Sequence, residues 1–216
     1  MMSLYIPYVK DIKGKINMFS KYDVYSVVQS IYCYSDTNVL INKLHILDNV
    51  TLKEFEEEIT TAKQIQLLES PIHGRFTKKH LLNIHKFLFE NIYPFAGKLR
   101  KEQIGKANDW FYPPDLIELE LNKIFVAIKE SKQLTKLKND DFFDRLAFCM
   151  AELNAVHPFR EGNGRSIREF IRLLANHNGY ALNWGNVDSK MLLETSINSK
   201  YNYKVLIEVL KLCCEK

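Results

Sequence analysis

One stretch of the chain is apolar on nearly every side, and it limits the possible folds more than any other feature. It runs from Phe142 to Val156 (FFDRLAFCMAELNAV) and is almost uniformly apolar between Leu146 and Ala151. A helix without a polar face cannot lie on a protein surface, so such a helix is normally the buried centre of a bundle. The rest of the chain must then supply the amphipathic elements that cover it.

Apolar residues recur at helical spacing on both sides of this central helix. One predicted helix begins near Thr51, where Thr51 and Glu54 have the spacing of a capping box. Others are predicted over about 77–91, 164–178, 188–196 and 203–214, and one more begins after Pro113–Pro114 with an apolar stripe from Ile117 to Ile128. Only Leu99–Tyr112, which lies before the Pro113–Pro114 break, has β character. The sequence therefore predicts an all-α bundle with one small β-hairpin.

Composition and charge exclude several classes of protein. No apolar run approaches the ~20 residues that span a bilayer, and the first residues lack the apolar region of a secretory signal. The net charge of +4 is only mildly basic, and no array of interleaved basic and aromatic residues is present. The four cysteines form no CxxC pair, which favours reduced thiols. We therefore expect a cytoplasmic protein with neither a nucleic-acid nor a membrane partner.

The segment 157–168 (HPFREGNGRSIR) carries the clearest chemical signal. Two glycines one residue apart, at the start of a helix, let successive N–H groups turn toward one point and bind an anion. Arg165 and Arg168 follow at i, i+3, so both guanidinium groups can reach the same anion. A glycine-rich turn alone would often be only a connection, but the convergence of these residue types predicts a phosphate site.

Two further side chains of this segment suggest a reaction. A carboxylate at Glu161 would repel a bare phosphate, so its expected role is to hold Mg²⁺ that bridges phosphate oxygens. His157 is the only imidazole in the segment and can take the proton of an incoming hydroxyl. From the residues alone, the prediction is nucleotide-dependent phosphoryl or nucleotidyl transfer.

The segment 157–168 also resembles the signature of Fic domains, H-x-F-x-[D/E]-G-N-G-R-x-x-R, at every fixed position. LINKLHI near residue 40, the stretch 74–100 and the stretch 181–190 are similar to Fic sequences as well. This resemblance implies a Fic-domain helical bundle over 35–216, with a helical extension over 1–34 and a hairpin flap over the active site. It also implies transfer of AMP from Mg–ATP to a Ser, Thr or Tyr hydroxyl of a target protein.

The resemblance assigns roles residue by residue. His157 would be the catalytic base, Phe159 would anchor the loop in the core, and Glu161 would bind Mg²⁺. The anion hole would consist of Gly162, Asn163 and Gly164. Arg165 would contact the phosphates and Arg168 the γ-phosphate. Ile104 and Lys106 would lie in the flap, where such residues clamp the modified side chain or border the nucleotide. Related Doc kinases carry Lys at the position of Gly164, so this glycine favours adenylyl transfer over phosphorylation.

Two alternatives remain open: a Fic-fold phosphotransferase or other nucleotidyltransferase, and a non-catalytic nucleotide-binding regulator. Many Fic proteins also carry an inhibitory helix with Ser/Thr-x-x-x-Glu, and no Ser or Thr of this chain has Glu four residues later. Ser189 comes nearest, but Leu193 occupies the position and Glu194 is one residue late. Our hypothesis is inhibition in trans by a small antitoxin; the alternatives are that no inhibitor exists or that a segment outside this sequence supplies it. His80 and His85 are predicted to be packing or surface residues.

Overall fold

The computed structural model of the chain describes residues 30–106 and 109–214. The predicted helical extension over residues 1–34 lies outside these ranges except for residues 30–34. Those five residues form a turn and an isolated antiparallel bridge between Cys33 and Leu40.

Within the described residues the fold is almost entirely helical, which confirms the predicted class. Its helices are α1 (Asn49–Glu69), α2 (Lys78–Phe89), α3 (Pro114–Glu130), α4 (Asn139–Val156), α5 (Asn163–His177), α6 (Ser189–Asn198) and α7 (Val205–Cys213). Two short 3₁₀ turns cover Lys132–Leu134 and Trp184–Asn186. Strands β1 (Gly105–Lys106) and β2 (Asp109–Trp110) pair antiparallel, with Gly105 opposite Trp110.

The helix α4 is the centre of the bundle, as its apolar sequence predicts. It packs against α3, α5 and α7, and α5 in turn packs against α2. Met150 and Leu153 of α4 are almost completely buried. Since α5 follows α4 after a short turn, the segment 157–162 is held between two buried helices.

The start of α1 differs from the prediction. The cap is Asp48, whose carboxylate accepts hydrogen bonds from the backbone N–H of Thr51 at 2.7 Å and from its hydroxyl at 2.8 Å. Thr51 is therefore inside the helix rather than at its end. The predicted end of α5 is confirmed, because Gly179 adopts a left-handed φ of 84° just beyond it.

None of the helices in the described ranges combines the length and apolar character needed to cross a membrane. No disulfide joins the cysteines of the described residues.

Candidate active site

The turn between α4 and α5 has a fixed backbone shape. Its two ends, His157 and Gly162, both adopt left-handed φ values, 49° and 79°. The buried Asn163 side chain spans the turn: its Oδ1 accepts from the N–H of Phe159 at 2.8 Å, and its Nδ2 donates to the carbonyl of Phe159 at 2.8 Å. Phe159 itself is fully buried. The asparagine side chain thus shapes the loop, and only its backbone N–H is available for an anion.

The amino end of α5 has no side-chain cap among the described residues. The first N–H groups of a helix lack intrahelical acceptors and carry partial positive charge. Gly162 N–H is directed to the Glu161 carboxylate, at 2.9 Å from Oε1. Gly164 lets a guanidinium approach closely, since a Cβ at this position would lie 3.1 Å from Nη1 of Arg168.

Arg168 makes no hydrogen bond or ion pair with any of the described residues. It is half-buried, and burial, together with repulsion from Arg165, lowers its pKa to about 10. A shielded cation without a counter-ion is unfavourable unless an anion joins it. The guanidinium therefore provides an anion-binding position next to the start of α5.

Arg165 is already paired in this structure. Its guanidinium donates to the buried carboxylate of Glu56 and, at 2.9 Å, to Thr60 Oγ1, both in α1. The same guanidinium lies 3.4 Å from Glu161 Oε1. Although the sequence predicts a phosphate contact, the observed contacts of Arg165 connect α1 to the Glu161 carboxylate.

His157 is held through both its backbone and its ring. Its carbonyl accepts a hydrogen bond from Arg100 Nε at 2.8 Å. Its imidazole stacks on Phe111, with ring centroids 3.7 Å apart and planes 12° from parallel. Its Nδ1 lies 3.4 Å from the carbonyl oxygen of Asn154. The tautomer that donates Nδ1–H to this carbonyl keeps the lone pair on Nε2, where a base needs it.

His85 stabilises the turn by a hydrogen bond to its backbone and by stacking on Phe159. Its Nδ1 accepts from the N–H of Gly97 at 2.8 Å, so the proton is on Nε2, which donates to the Glu161 carbonyl at 2.9 Å. Its ring stacks on Phe159 at 3.7 Å and 9°. Burial lowers the pKa of His85 to about 3, so the ring remains neutral. The expected packing role is correct, but the hydrogen bond to Glu161 gives His85 a place in the site that its sequence position does not indicate.

Comparison with known proteins identifies the family. The model of the Fic/DOC family matches residues 75–175. A probable protein adenylyltransferase of Sinorhizobium fredii is 33% identical over 176 residues, which cover 81% of this chain and 90% of that protein. The chain belongs to the Fic/DOC family. Protein adenylyltransferase VbhT of Bartonella schoenbuchensis is 36% identical over 179 residues, and the match spans 83% of this chain but only 37% of that protein.

Solved Fic structures have the same fold as this chain. The N-terminal Fic domain of the Bartonella effector Bep8 superposes with a TM-score of 0.79 at 23% identity, covering 85% of this chain and 94% of that domain. The BepC protein of Bartonella tribocorum, solved with bound AMPPNP, superposes with a TM-score of 0.76 at 21% identity, covering 85% and 96%. The fold of these domains is that of the helical bundle described above.

The hairpin of this Fic domain lies beside His157, as Phe111 shows by stacking on the imidazole. Ile104 is buried at the base of the hairpin, where its carbonyl accepts from Phe111 N–H at 3.2 Å. Lys106 belongs to β1 and pairs with Asp109. Trp110, at the end of β2, is 52% exposed.

Besides His85, two arginines of the site have roles that the sequence does not predict. The buried Arg160 donates through Nε to Glu102 Oε1 at 3.1 Å, which connects the turn to the residue before the hairpin. Arg100 donates to the backbone of His157. No local pattern marks these residues, because each acts on a partner more than fifty positions away.

Proposed function

We propose that this chain is a protein adenylyltransferase that transfers AMP from ATP to a hydroxyl of a target protein. The observation that carries the proposal is the unpartnered guanidinium of Arg168, which faces no counter-ion among the described residues and lies against Gly164 at the uncapped start of α5. The names of the Sinorhizobium and Bartonella relatives support the same activity.

The phosphates would be bound by the start of α5. The backbone N–H groups of Gly162, Asn163 and Gly164 form the proposed anion hole, and Arg168 binds the γ-phosphate by charge-assisted hydrogen bonds. For the Gly162 N–H to take part, its hydrogen bond to the Glu161 carboxylate must open when the nucleotide binds. Arg165 contributes positive charge to the same site. Because Glu56 and Thr60 orient its guanidinium, we expect Arg165 to act with little rearrangement.

His157 is the proposed general base. The target hydroxyl oxygen attacks the α-phosphorus, the bond from this phosphorus to the bridging oxygen of the β-phosphate breaks, and pyrophosphate leaves. The hydroxyl proton moves to Nε2 of His157. Stacking on Phe111 keeps the imidazole plane fixed during this transfer.

The donor set of the site fits a nucleotide-bound magnesium ion. The described residues contain no group of three or more His, Cys, Asp or Glu side chains that could bind a metal ion by themselves. Mg²⁺ commonly takes one or two carboxylates and completes its shell with phosphate oxygens and water, and Glu161 can supply such a carboxylate. When bound, the ion would neutralise charge that develops on the leaving pyrophosphate.

The target protein would bind along the hairpin. Two-residue strands leave backbone groups of the edge available, so an extended target segment can add a strand to the flap. In this arrangement Ile104 and Lys106 border the modified side chain and the nucleotide. We place the reaction in the cytoplasm, of a bacterium or of a host cell after translocation, where ATP is present.

Control in trans is part of the proposal. Glu194, the nearest match to an inhibitory glutamate, is on α6 with its side chain 61% exposed and 4.0 Å from Lys190. A small antitoxin that supplies a glutamate to Arg168 would displace the γ-phosphate. The isolated chain should therefore be active without an activating mutation. Activity that appears only after Glu194→Ala would instead place the inhibitor within this chain.

Labelled ATP tests the proposed reaction. The purified chain is incubated with a bacterial or host lysate and ATP that is labelled at the α- or the γ-phosphate. Label from the α-phosphate on protein supports adenylyl transfer, γ-label indicates a phosphotransferase, and no label with retained ATP binding indicates a regulator. His157→Ala should abolish transfer, whereas the matched control His73→Ala changes an exposed histidine outside the site and should not.

A further inference from the structure

Arg100 is a buried guanidinium with an unusual set of partners. Its residue is only 2% exposed, and all its side-chain hydrogen bonds end on backbone carbonyls. Nε donates to His157 O at 2.8 Å, Nη1 to Glu102 O at 2.9 Å, and Nη2 to Val156 O at 3.2 Å and to Tyr112 O. No carboxylate within residues 30–106 and 109–214 accepts a hydrogen bond from this side chain.

The four acceptors belong to three separate parts of the site. Val156 and His157 form the carboxyl end of α4, Glu102 precedes β1, and Tyr112 follows β2. The backbone of Arg100 adds another connection, because its N–H donates to Pro158 O at 2.9 Å. The Arg100 side chain therefore connects Glu102, before β1, and Tyr112, after β2, to the backbone of His157.

The chemistry of this position requires a guanidinium. Arg100 is only 2% exposed, so its charge is poorly solvated, and this burial lowers its pKa to about 10. The carbonyls at the carboxyl end of α4 carry partial negative charge that offsets part of this cost. A planar fork with five N–H donors can meet several carbonyls at fixed angles, whereas a lysine ammonium is a point charge on a flexible stem.

A second contact couples the hairpin to His157. Phe111 is adjacent to Tyr112, and its ring stacks on the imidazole at 3.7 Å. Its N–H donates to Ile104 O at 3.2 Å across the hairpin. A shift of β2 and the residues that follow it would therefore move the Phe111 ring, on which the His157 imidazole stacks.

We propose that Arg100 is a positioning residue that couples the flap to His157, so that a target strand on the hairpin and the catalytic base share one rigid connection. The proposal rests on the proposed function. Among the described residues, the Arg100 side chain forms no hydrogen bond with the start of α5 or with Arg168, so nucleotide binding should not depend on it. Its loss should reduce transfer to a target while ATP affinity stays the same.

The test compares Arg100→Lys with Arg172→Lys. Arg172 is also buried, but it donates to Glu169 of its own helix and to Leu67 O of α1, neither of which belongs to the hairpin or to the 157–162 turn. For each variant, calorimetry gives the Kd for ATP, α-labelled ATP gives the rate of transfer, and mass spectrometry gives hydrogen exchange of peptides from the hairpin and from the 157–162 turn.

We expect Arg100→Lys to lower transfer by about 10²-fold, the usual effect of a misplacement near 1 Å, with ATP affinity within about threefold of the parent. Exchange should accelerate in the hairpin and in the turn together. Arg172→Lys should show neither effect. Guanidinium at millimolar concentration should restore part of the transfer to Arg100→Ala.

Three results would overturn the proposal: unchanged transfer, a loss of ATP affinity as large as the loss of transfer, or the same pattern in Arg172→Lys. If the parent chain transfers no label to protein, the proposed function is wrong. Hydrogen exchange then tests by itself whether Arg100 couples the hairpin to the 157–162 turn. Acceleration in both segments then supports the coupling, and acceleration in only one contradicts it. If the Arg100 variants do not fold, Phe111→Leu tests the second contact by the same measurements.

Discussion

Gly162 should not tolerate even one additional methyl group. Its φ of +79° lies in the left-handed region, and a Cβ there would come within 2.2 Å of two atoms of the Phe89 ring. Real Cβ atoms do not approach so closely, so the ring or the turn must move. The Phe89 ring is not free to do so without consequence, because the Arg165 guanidinium lies 4.8 Å above it and the His85 ring 4.9 Å from it.

The cost of Gly162→Ala can be estimated from these two features. Left-handed backbone costs an alanine about 1–2 kcal/mol. Insertion of a methyl group into a packed site adds about 1–3 kcal/mol. We therefore expect the free energy of unfolding to fall by about 2–5 kcal/mol.

Gly164→Ala is the matched control, two residues along the chain. Gly164 is inside α5, and its added Cβ would meet only the end of the flexible Arg168 side chain, at 3.1 Å. Alanine favours a helix over glycine by up to about 1 kcal/mol, so this variant should be as stable as the parent or more stable. Its ATP affinity should nevertheless fall, because the Arg168 guanidinium must shift.

Urea denaturation followed by circular dichroism at constant pH measures both variants. The double variant Gly162→Ala/Phe89→Leu should be less destabilised than the two single changes added together, because the smaller side chain removes the overlap but not the backbone strain. The reasoning is refuted if Gly162→Ala loses less than about 1 kcal/mol relative to Gly164→Ala, or if the two changes are additive.

Three further predictions concern the site. His157→Ala should lower the rate of α-label transfer by about 10²–10⁴-fold with the calorimetric ATP Kd unchanged, and near-normal transfer would rule out a base at this position. Glu161→Ala should weaken the Mg²⁺ dependence of ATP binding, and EDTA should stop transfer by the parent; undiminished labelling in EDTA would assign the carboxylate another role. Burial holds the pKa of His85 at about 3, below its ordinary 6.5. The free energy of unfolding of the parent should therefore decrease as the pH falls from 6.5 toward 3, because only the unfolded chain takes up a proton on this ring. The decrease due to His85 is at most about 1.4 kcal/mol per pH unit. His85→Gln should show a smaller loss between pH 7 and 5 in urea titrations, and equal losses would contradict the neutral, buried ring.

The sequence by itself determined the features that depend on neighbouring residues. The central helix follows from an apolar stretch that no surface could accommodate, and α4 is buried as predicted. The turn at 157–168 could be predicted as a candidate phosphate site because its residues are contiguous and the spacing of its glycines and arginines reflects local geometry. The predicted cap of α1 was wrong, since Asp48 rather than Thr51 caps this helix, and the side-chain oxygens of both residue types can accept the same kind of hydrogen bond.

Only the tertiary structure decided how the turn is supported. His85 is 76 positions from Glu161, Arg100 is 57 from His157, and Glu56 is 109 from Arg165. Nothing in local sequence distinguishes these side chains from ordinary polar residues on a helix or in a loop. Their partners are fixed by how α1, α2 and the hairpin pack around α4 and α5, because burial leaves each polar group only the acceptor that packing brings within reach.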